Sequence, residues 1–158
     1  MMKRILTALL LAPAACDGGG QTGGGGGRED RYNAFAVKFG EAIRSGGAAA
    51  SYEMTSKSYR AAHTLKEFSA FLQEAEKRYG KATHVGPSIN TVKADGPLGE
   101  NLGFPKDIPV KDRRARMLVR MANGPDAYND CLYEVWINII EEDGADRIVT
   151  IQIPGINM

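Results

Sequence analysis

Apolar residues recur at helical spacing in the part of the chain that follows its glycine-rich segment. Between Glu29 and Arg44 they fall mostly three or four positions apart, at Tyr32, Phe35, Ala36, Phe39 and Ile43. This spacing gives one apolar stripe and predicts an amphipathic helix. Shorter helical segments are predicted over Ala48–Met54 and Thr55–Ala62.

The clearest helix start in the chain is the run Thr64-Leu65-Lys66-Glu67. A threonine followed three residues later by a glutamate is typical of a capping box, in which each side chain bonds the other residue's backbone N–H. The apolar residues that follow share one face as far as Tyr79, and Gly80 is typical of a helix end. The sequence therefore predicts a helix that ends at Gly80.

From His84 onwards the apolar period changes to two, which is typical of β-strands. Strands are predicted over Ser88–Lys93, Arg114–Met121, Asp130–Ile140 and Arg147–Ile153. Short turns join the last three, which predicts an antiparallel meander. The segment Asp95–Pro109 contains three prolines and three glycines and is predicted to be a long loop or lid.

Helices followed by strands predict an α+β domain with N-terminal helices packed on an antiparallel sheet. We expect Phe35, Phe39, Phe68, Phe71 and Leu72 to be largely buried against Val135, Ile137, Val149 and Ile151. Alternation also places Cys131 with Tyr133 on the helix-facing side. If Cys16 is lipidated, Cys131 has no intrachain partner, and a small buried hydrophobe is its simplest interpretation.

The first residues have the layout of a secretory signal. A basic start is followed by an apolar run, then by small residues, then by Cys16. The run is too short to span a membrane, which takes about 20 apolar residues. A cysteine directly after the small residues resembles the lipobox of bacterial lipoproteins, although Pro13 stands where leucine is usual. The alternative is ordinary secretion with an unmodified cysteine.

This resemblance implies a signal peptide over residues 1–15 and lipidation of Cys16, which would anchor the chain on the periplasmic face of a bacterial envelope membrane. Asp17 resembles a signal for retention in the inner membrane. Residues 16–27 then form a glycine-rich tether, and residues 28–158 form one domain. Loss of the two basic residues in the signal changes the formal charge from +1 to −1, so no global charge favours nucleic acid.

The faces of the predicted strands that point away from the helices carry an unusual set of side chains. They are Arg114, Arg116, Arg120, Glu134 and Trp136. A solvated sheet with a cation–π contact is one interpretation. The other is an interaction surface for a second copy or for another envelope protein, because tryptophan and arginine are enriched in binding hot spots. Lys111, Arg113 and these arginines also suit anionic lipid headgroups within reach of the tether.

The segments Phe39–Ser45, Ala50–Ser56, Leu65–Phe68 and the last two strands resemble small secreted members of the nuclear-transport-factor-2-like, or cystatin-like, superfold. The resemblance implies a cone of helices on a bent sheet, with relatives that often dimerise through the outer sheet face. It also implies a cavity inside the cone. The strand residues that face it are Met117, Val119, Tyr133, Val135, Ile137 and Ile151.

Members of this superfold include binding proteins, ligand carriers and enzymes, so the fold does not decide the function. A ketosteroid-isomerase-like enzyme needs an aspartate base and acidic oxyanion donors. The strand residues that face the cavity supply a tyrosine but no carboxylate or histidine. His63 and His84 have no carboxylate at a telling spacing and make a weak metal case. We therefore expect a non-enzymatic binding module without metal or cofactor. A small apolar ligand carrier is the first alternative, and a ketosteroid-isomerase-like enzyme of the same fold is the second.

Overall fold

Four helices make up the first half of the domain in a computed structural model that describes residues 26–86, 92–93 and 102–158. They are α1 (Gly26–Glu41), α2 (Gly47–Tyr52), α3 (Lys57–Ala62) and α4 (Leu65–Tyr79), and a π-helical turn over Ala42–Gly46 joins the first two. The predicted signal peptide, Cys16 and the tether as far as residue 25 lie outside the described residues.

The helix boundaries follow local capping chemistry. The predicted capping box is present: Thr64 Oγ1 accepts from the backbone N–H of Glu67, and the Glu67 carboxylate accepts from the backbone N–H of Thr64 at 2.7 Å. Gly80 ends α4 with φ of 101°, a conformation that suits glycine. The prediction for α3 was two residues too long, because the Ser56 side chain caps that helix. Helix α1 begins at Gly26, three residues earlier than predicted.

Five antiparallel strands follow: β1 (His84–Gly86), β2 (Val92–Lys93), β3 (Arg113–Ala122), β4 (Cys131–Glu142) and β5 (Ala145–Gln152). Their order is β1-β3-β4-β5, and β2 pairs with β3 as well. The predicted meander of the last three strands is confirmed, and so is the α+β class. Strand β2 covers the last two residues of the strand predicted over Ser88–Lys93, and residues 88–91 lie outside the described residues.

One side of the sheet is covered by α1 and α4. Phe39, Phe68, Phe71 and Leu72 are buried there as predicted, in one cluster with Val135, Ile137 and Ile151. Phe35 is half-buried against the same cluster, so its predicted burial is only partly confirmed. The bidentate pair of Arg31 with Asp146, at 2.6 and 2.7 Å, ties the start of α1 to β5.

The prediction that Val149 lies on the helix-facing side of the sheet is wrong. Asn138 pairs with Thr150 and Ile139 pairs with Ile148, so Val149 is an extra residue in a β-bulge. A bulge reverses the alternation on one side of it. Val149 therefore packs on the outer face, in a second cluster with Phe104, Ile108 and Ile140, and Ile148 takes its place in the main core.

A second irregularity corrects the position of Cys131. Met121 pairs with Tyr133 and Ala122 pairs with Cys131, which leaves Leu132 as the extra residue. Leu132 packs against the main core, whereas Cys131 is half-exposed and lies outside that cluster.

Candidate functional site

The outer face of the sheet carries three arginine–aromatic contacts. Arg113 lies over Phe104 with 5.4 Å between guanidinium carbon and ring centroid, Arg116 over Trp136 at 5.1 Å, and Arg120 over Tyr128 at 4.9 Å. These distances fall within the range of cation–π attraction, which contributes about 0.5–1 kcal/mol at exposed sites and more when desolvated. We call Arg116, Arg120, Glu134 and Trp136 the outer-face cluster.

Arg116 is held in place from several directions. Its Nη2 donates to Gln152 Oε1 at 3.0 Å, and its Nη1 donates to the backbone carbonyl of Leu102. Burial lowers the pKa of Arg116. The guanidinium is thus partly desolvated and already oriented, so binding a partner would order it at little entropic cost.

Arg120 is the most confined charge of the cluster. Its side chain is 12% exposed, and Nε lies 3.6 Å from Glu134 Oε1. Its Nη1 is buried and has no hydrogen-bond partner among the residues that the structure describes. A buried donor without a partner costs free energy, and more so when it belongs to a charged group. Tyr128, whose ring covers this arginine, is itself 71% exposed.

Two connecting segments frame the cluster. Leu102, Phe104 and Ile108 cover one end of the outer face, where Asn138 Nδ2 donates to the carbonyl of Leu102 at 3.1 Å. The described part of the predicted lid therefore packs on the outer face. The β3–β4 turn covers the other end with Tyr128.

Alternation correctly predicted that Arg116, Arg120, Glu134 and Trp136 share the outer face. Arg114 does not join them. It is skipped in the register between Arg113 and Ala115, and it pairs with Glu141 at 2.9 Å. Arg113 takes the outer-face position over Phe104 instead. The contributions of Phe104 and Tyr128 were missed, because both come from connecting segments without periodic signal.

The strand residues predicted to line a cavity form a packed core. Met117, Val119, Val135 and Ile137 have no exposed surface, and Phe39 and Phe68 share their cluster. Tyr133 is also buried, its ring stacks on Tyr79 with centroids 5.8 Å apart, and burial raises its pKa to about 12. Clefts of about 340, 260 and 160 Å³ in the described part of the chain are lined by residues other than these five.

Ile151 lines a cleft in a different place, along the outer edge of β5. This cleft has a volume of about 340 Å³ and is enclosed by α3, β5 and the C-terminal residues. A second cleft of about 260 Å³ shares Tyr59, His63, Val149 and Thr150 with it and continues to Pro105 and Asp107. We call the two together the edge groove. No motif in the sequence indicated it.

Tyr59 is the buried polar group of the edge groove. It is 4% exposed, and its hydroxyl donates to Met158 Sδ at 3.2 Å. Burial raises its pKa well above the ordinary tyrosine value. The His63 ring lies 4.8 Å from its ring. The Tyr59 hydroxyl is therefore protonated at neutral pH and acts as a hydrogen-bond donor in the groove.

The remaining reactive groups are dispersed over the described part of the chain. His84 Nδ1 lies 3.0 Å from Thr83 Oγ1, remote in sequence from the tyrosine–histidine pair. Burial raises the pKa of the Cys131 thiol, which makes the reactive thiolate scarcer. No three potential metal ligands cluster among the residues that the structure describes.

Comparison with known proteins gives this chain no relative. No family model matches it, and no curated protein or solved structure is significantly similar to it. None of the described helices combines the length and the apolar character needed to cross a membrane.

Proposed function

We propose that this chain is a lipid-anchored protein of a bacterial envelope, held to the membrane through Cys16. Its domain, a nuclear-transport-factor-2-like cone with a filled interior, is a non-enzymatic binding module. The outer-face cluster is its contact surface. The order of basic, apolar and small residues before Cys16 supports the anchor, and the glycine-rich segment after it supplies a spacer.

The packed helix-facing side favours partner binding over ligand transport. A carrier needs a cavity, typically 300–1,000 Å³ in volume. Of the strand residues that would line a cavity in this cone, Met117, Val119, Val135 and Ile137 are instead fully buried, in one cluster with the phenylalanines of α1 and α4. The interior therefore stabilises the domain, and we assign the binding function to the outer surface of the sheet.

Arg120 is the observation that carries this proposal. Its Nη1 is buried, and no described residue supplies it with an acceptor, while the ring that lies over this arginine belongs to a largely exposed tyrosine. A partner that moves Tyr128 aside and supplies a carboxylate or carbonyl oxygen would satisfy this donor. Arg116 over Trp136 adds a half-buried aromatic next to it, and such arginine–tryptophan centres dominate many interfaces.

Charge favours an acidic partner. The outer face brings Arg113, Arg116 and Arg120 together, and Glu134 is the acidic residue paired within this set. Complementary charge mainly accelerates association and fixes its orientation. We therefore expect the partner to be an envelope protein with an acidic contact surface, and a second copy of this chain is the alternative occupant.

The binding test replaces Trp136 with alanine and places a photo-crosslinking residue at Tyr128. Trp136→Ala should leave the domain folded but weaken association by about 2 kcal/mol, the scale of a hot spot. Gln73→Ala, on the exposed face of α4, is the matched control, with a crosslinker at Lys77. Crosslinks at Tyr128 that Trp136→Ala abolishes and Gln73→Ala preserves would support the proposal. Equal crosslinking at both positions would contradict it.

The anchor has a separate test. Cys16→Ser should move the protein from the membrane fraction to the soluble fraction, because two or more acyl chains make anchoring stable. Mass spectrometry of the wild-type chain should find a lipidated Cys16 as the N-terminal residue. An unmodified cysteine would refute the anchor and leave the contact surface to be judged on its own experiment.

A further inference from the structure

The edge of β5 that faces away from β4 is hydrogen-bonded at two points, with a short unpaired stretch of backbone between them. At Ile148, the backbone N–H donates to the carbonyl of Met54 at 3.1 Å, and the carbonyl accepts from the N–H of Ser56 at 2.8 Å. At Ile153, the carbonyl accepts from the N–H of Ile156 at 3.0 Å. Between these points no described residue supplies a strand partner on this edge.

Register shows which backbone groups this stretch leaves open. Antiparallel pairs alternate between hydrogen-bonded and non-hydrogen-bonded. The backbone N–H and carbonyl of Ile148 both form hydrogen bonds on the outer edge, so the pair of Ile148 with Ile139 is non-hydrogen-bonded. Ile151 pairs with Ile137, two residues further along β4, and its pair is of the same kind. The N–H and carbonyl of Ile151 therefore point away from β4.

The edge groove lies directly against this position. Its lining includes the four consecutive residues Val149–Gln152, whose side chains cannot all point one way, so the groove meets the backbone edge itself. Tyr59 and His63 line both clefts of the groove, and Pro105 and Asp107 line the second. The open stretch of backbone is short, because the edge is bonded on either side of it. A stretch of this length suits a single extended segment better than the edge of a second sheet.

A second donor faces the same groove. Among the described residues, the buried Tyr59 hydroxyl bonds only a thioether sulfur, which is a weak acceptor. Met158, which supplies the sulfur, is 42% exposed, so its side chain can move aside at little cost. A carbonyl oxygen in its place would make a stronger hydrogen bond.

We infer that the edge groove binds an extended peptide segment of another protein by strand addition. In that segment, a carbonyl accepts from the N–H of Ile151 and an N–H donates to the carbonyl of Ile151. A neighbouring carbonyl accepts from the Tyr59 hydroxyl. An apolar side chain packs against Phe71 and Ile156, which also line the groove. Main-chain hydrogen bonds of this kind supply affinity, and the side-chain pocket supplies specificity. The inference does not depend on the outer-face contact surface.

The test titrates the full chain with a pool of acetylated, amidated hexapeptides of randomised sequence and follows backbone amides by NMR. We expect saturable shifts at Val149–Gln152 and slower hydrogen exchange at Ile151. A matched pool methylated at every backbone nitrogen has no N–H to donate to the carbonyl of Ile151. It should bind about fivefold to tenfold more weakly, the value of one or two net hydrogen bonds.

Two tryptophan variants on α3 locate the site. Ala62 is exposed and lines the groove, so Ala62→Trp should fill it and weaken peptide binding about tenfold or more. Ala61 is equally exposed but does not line the groove, so Ala61→Trp should bind like the wild type. Equal binding of the two pools, equal loss in both variants, or absence of a saturable shift would overturn the inference. So would protection of Ile151 that rises with protein concentration alone, which would identify a second copy as the occupant.

Discussion

The two faces of the sheet are covered by different kinds of structure. Helices α1 and α4 cover one face with regular apolar stripes. Irregular segments cover the ends of the other, with Phe104 and Ile108 at one end and Tyr128 at the other. The first face is a continuous core, whereas the second is a mixture of small apolar contacts and half-buried charges. The regular cover packs closely against the sheet, while the irregular cover leaves charged groups half-buried.

The largest test of this contrast is truncation of one phenylalanine on each side. Phe68 is fully buried in the helix-facing core, so Phe68→Ala should lower the free energy of unfolding by about 3–5 kcal/mol. Phe104 belongs to the smaller outer cluster, where a connecting segment can collapse into the space. Phe104→Ala should therefore cost about 1–2 kcal/mol less. Urea denaturation measures both values, and equal losses would mean that the outer face is a second core.

The bulge in β5 gives a sharper test of which residue belongs to which face. Val149 contacts the outer cluster, so Val149→Ala and Phe104→Ala should be coupled by about 0.5–3 kcal/mol in a double-mutant cycle. Val149→Ala and Phe68→Ala should add within about 0.5 kcal/mol, because the sheet separates them. The opposite result would restore Val149 to the helix-facing core.

Most of the fold was predictable because it depends on local periodicity. The stripe of α1, the capping box at Thr64 and the alternation in β3 and β4 each report a repeated local environment. The errors lie where one extra residue interrupts a strand. Because of a single bulge, Val149 lies on the opposite face from the predicted one, and Ile148 lies in the helix-facing core in its place. A run of β-branched residues carries no signal for the position of a bulge.

The candidate site was predictable to the same extent. Alternation alone placed Arg116, Arg120 and Trp136 together. It could not place Tyr128, because the contact depends on how a turn folds back over a strand. The edge groove could not be predicted from the sequence for a similar reason. It is made by α3, β5 and the C-terminal residues, which are far apart in the sequence, and by backbone groups that no residue pattern reports.

The smallest expected effect concerns the turn that holds Tyr128 over the outer face. The Asn129 side-chain amide donates to the Asp126 carboxylate at 2.6 Å, and the backbone N–H groups of Asn129 and Tyr128 donate at 3.1 Å. These bonds hold the pKa of Asp126 below its usual value. A lowered carboxylate pKa stabilises the folded state above the ordinary aspartate pKa of about 3.9, and this contribution disappears as pH falls through the folded-state value.

Asp126→Asn keeps an oxygen acceptor but removes the charge, so it should be less stable than the wild type at pH 7. The difference should shrink as pH falls below about 4, the ordinary aspartate pKa, and be smallest at pH 2, where protonation of the wild-type carboxyl group has gone furthest. Urea midpoints at these three pH values provide the measurement. Asn129→Ala removes the strongest donor and should flatten the pH dependence of the wild-type chain. A difference that persists unchanged at pH 2 would show that the charge of Asp126 does not hold the turn. The position of Tyr128 would then depend on its contact with Arg120 and not on the charge of Asp126.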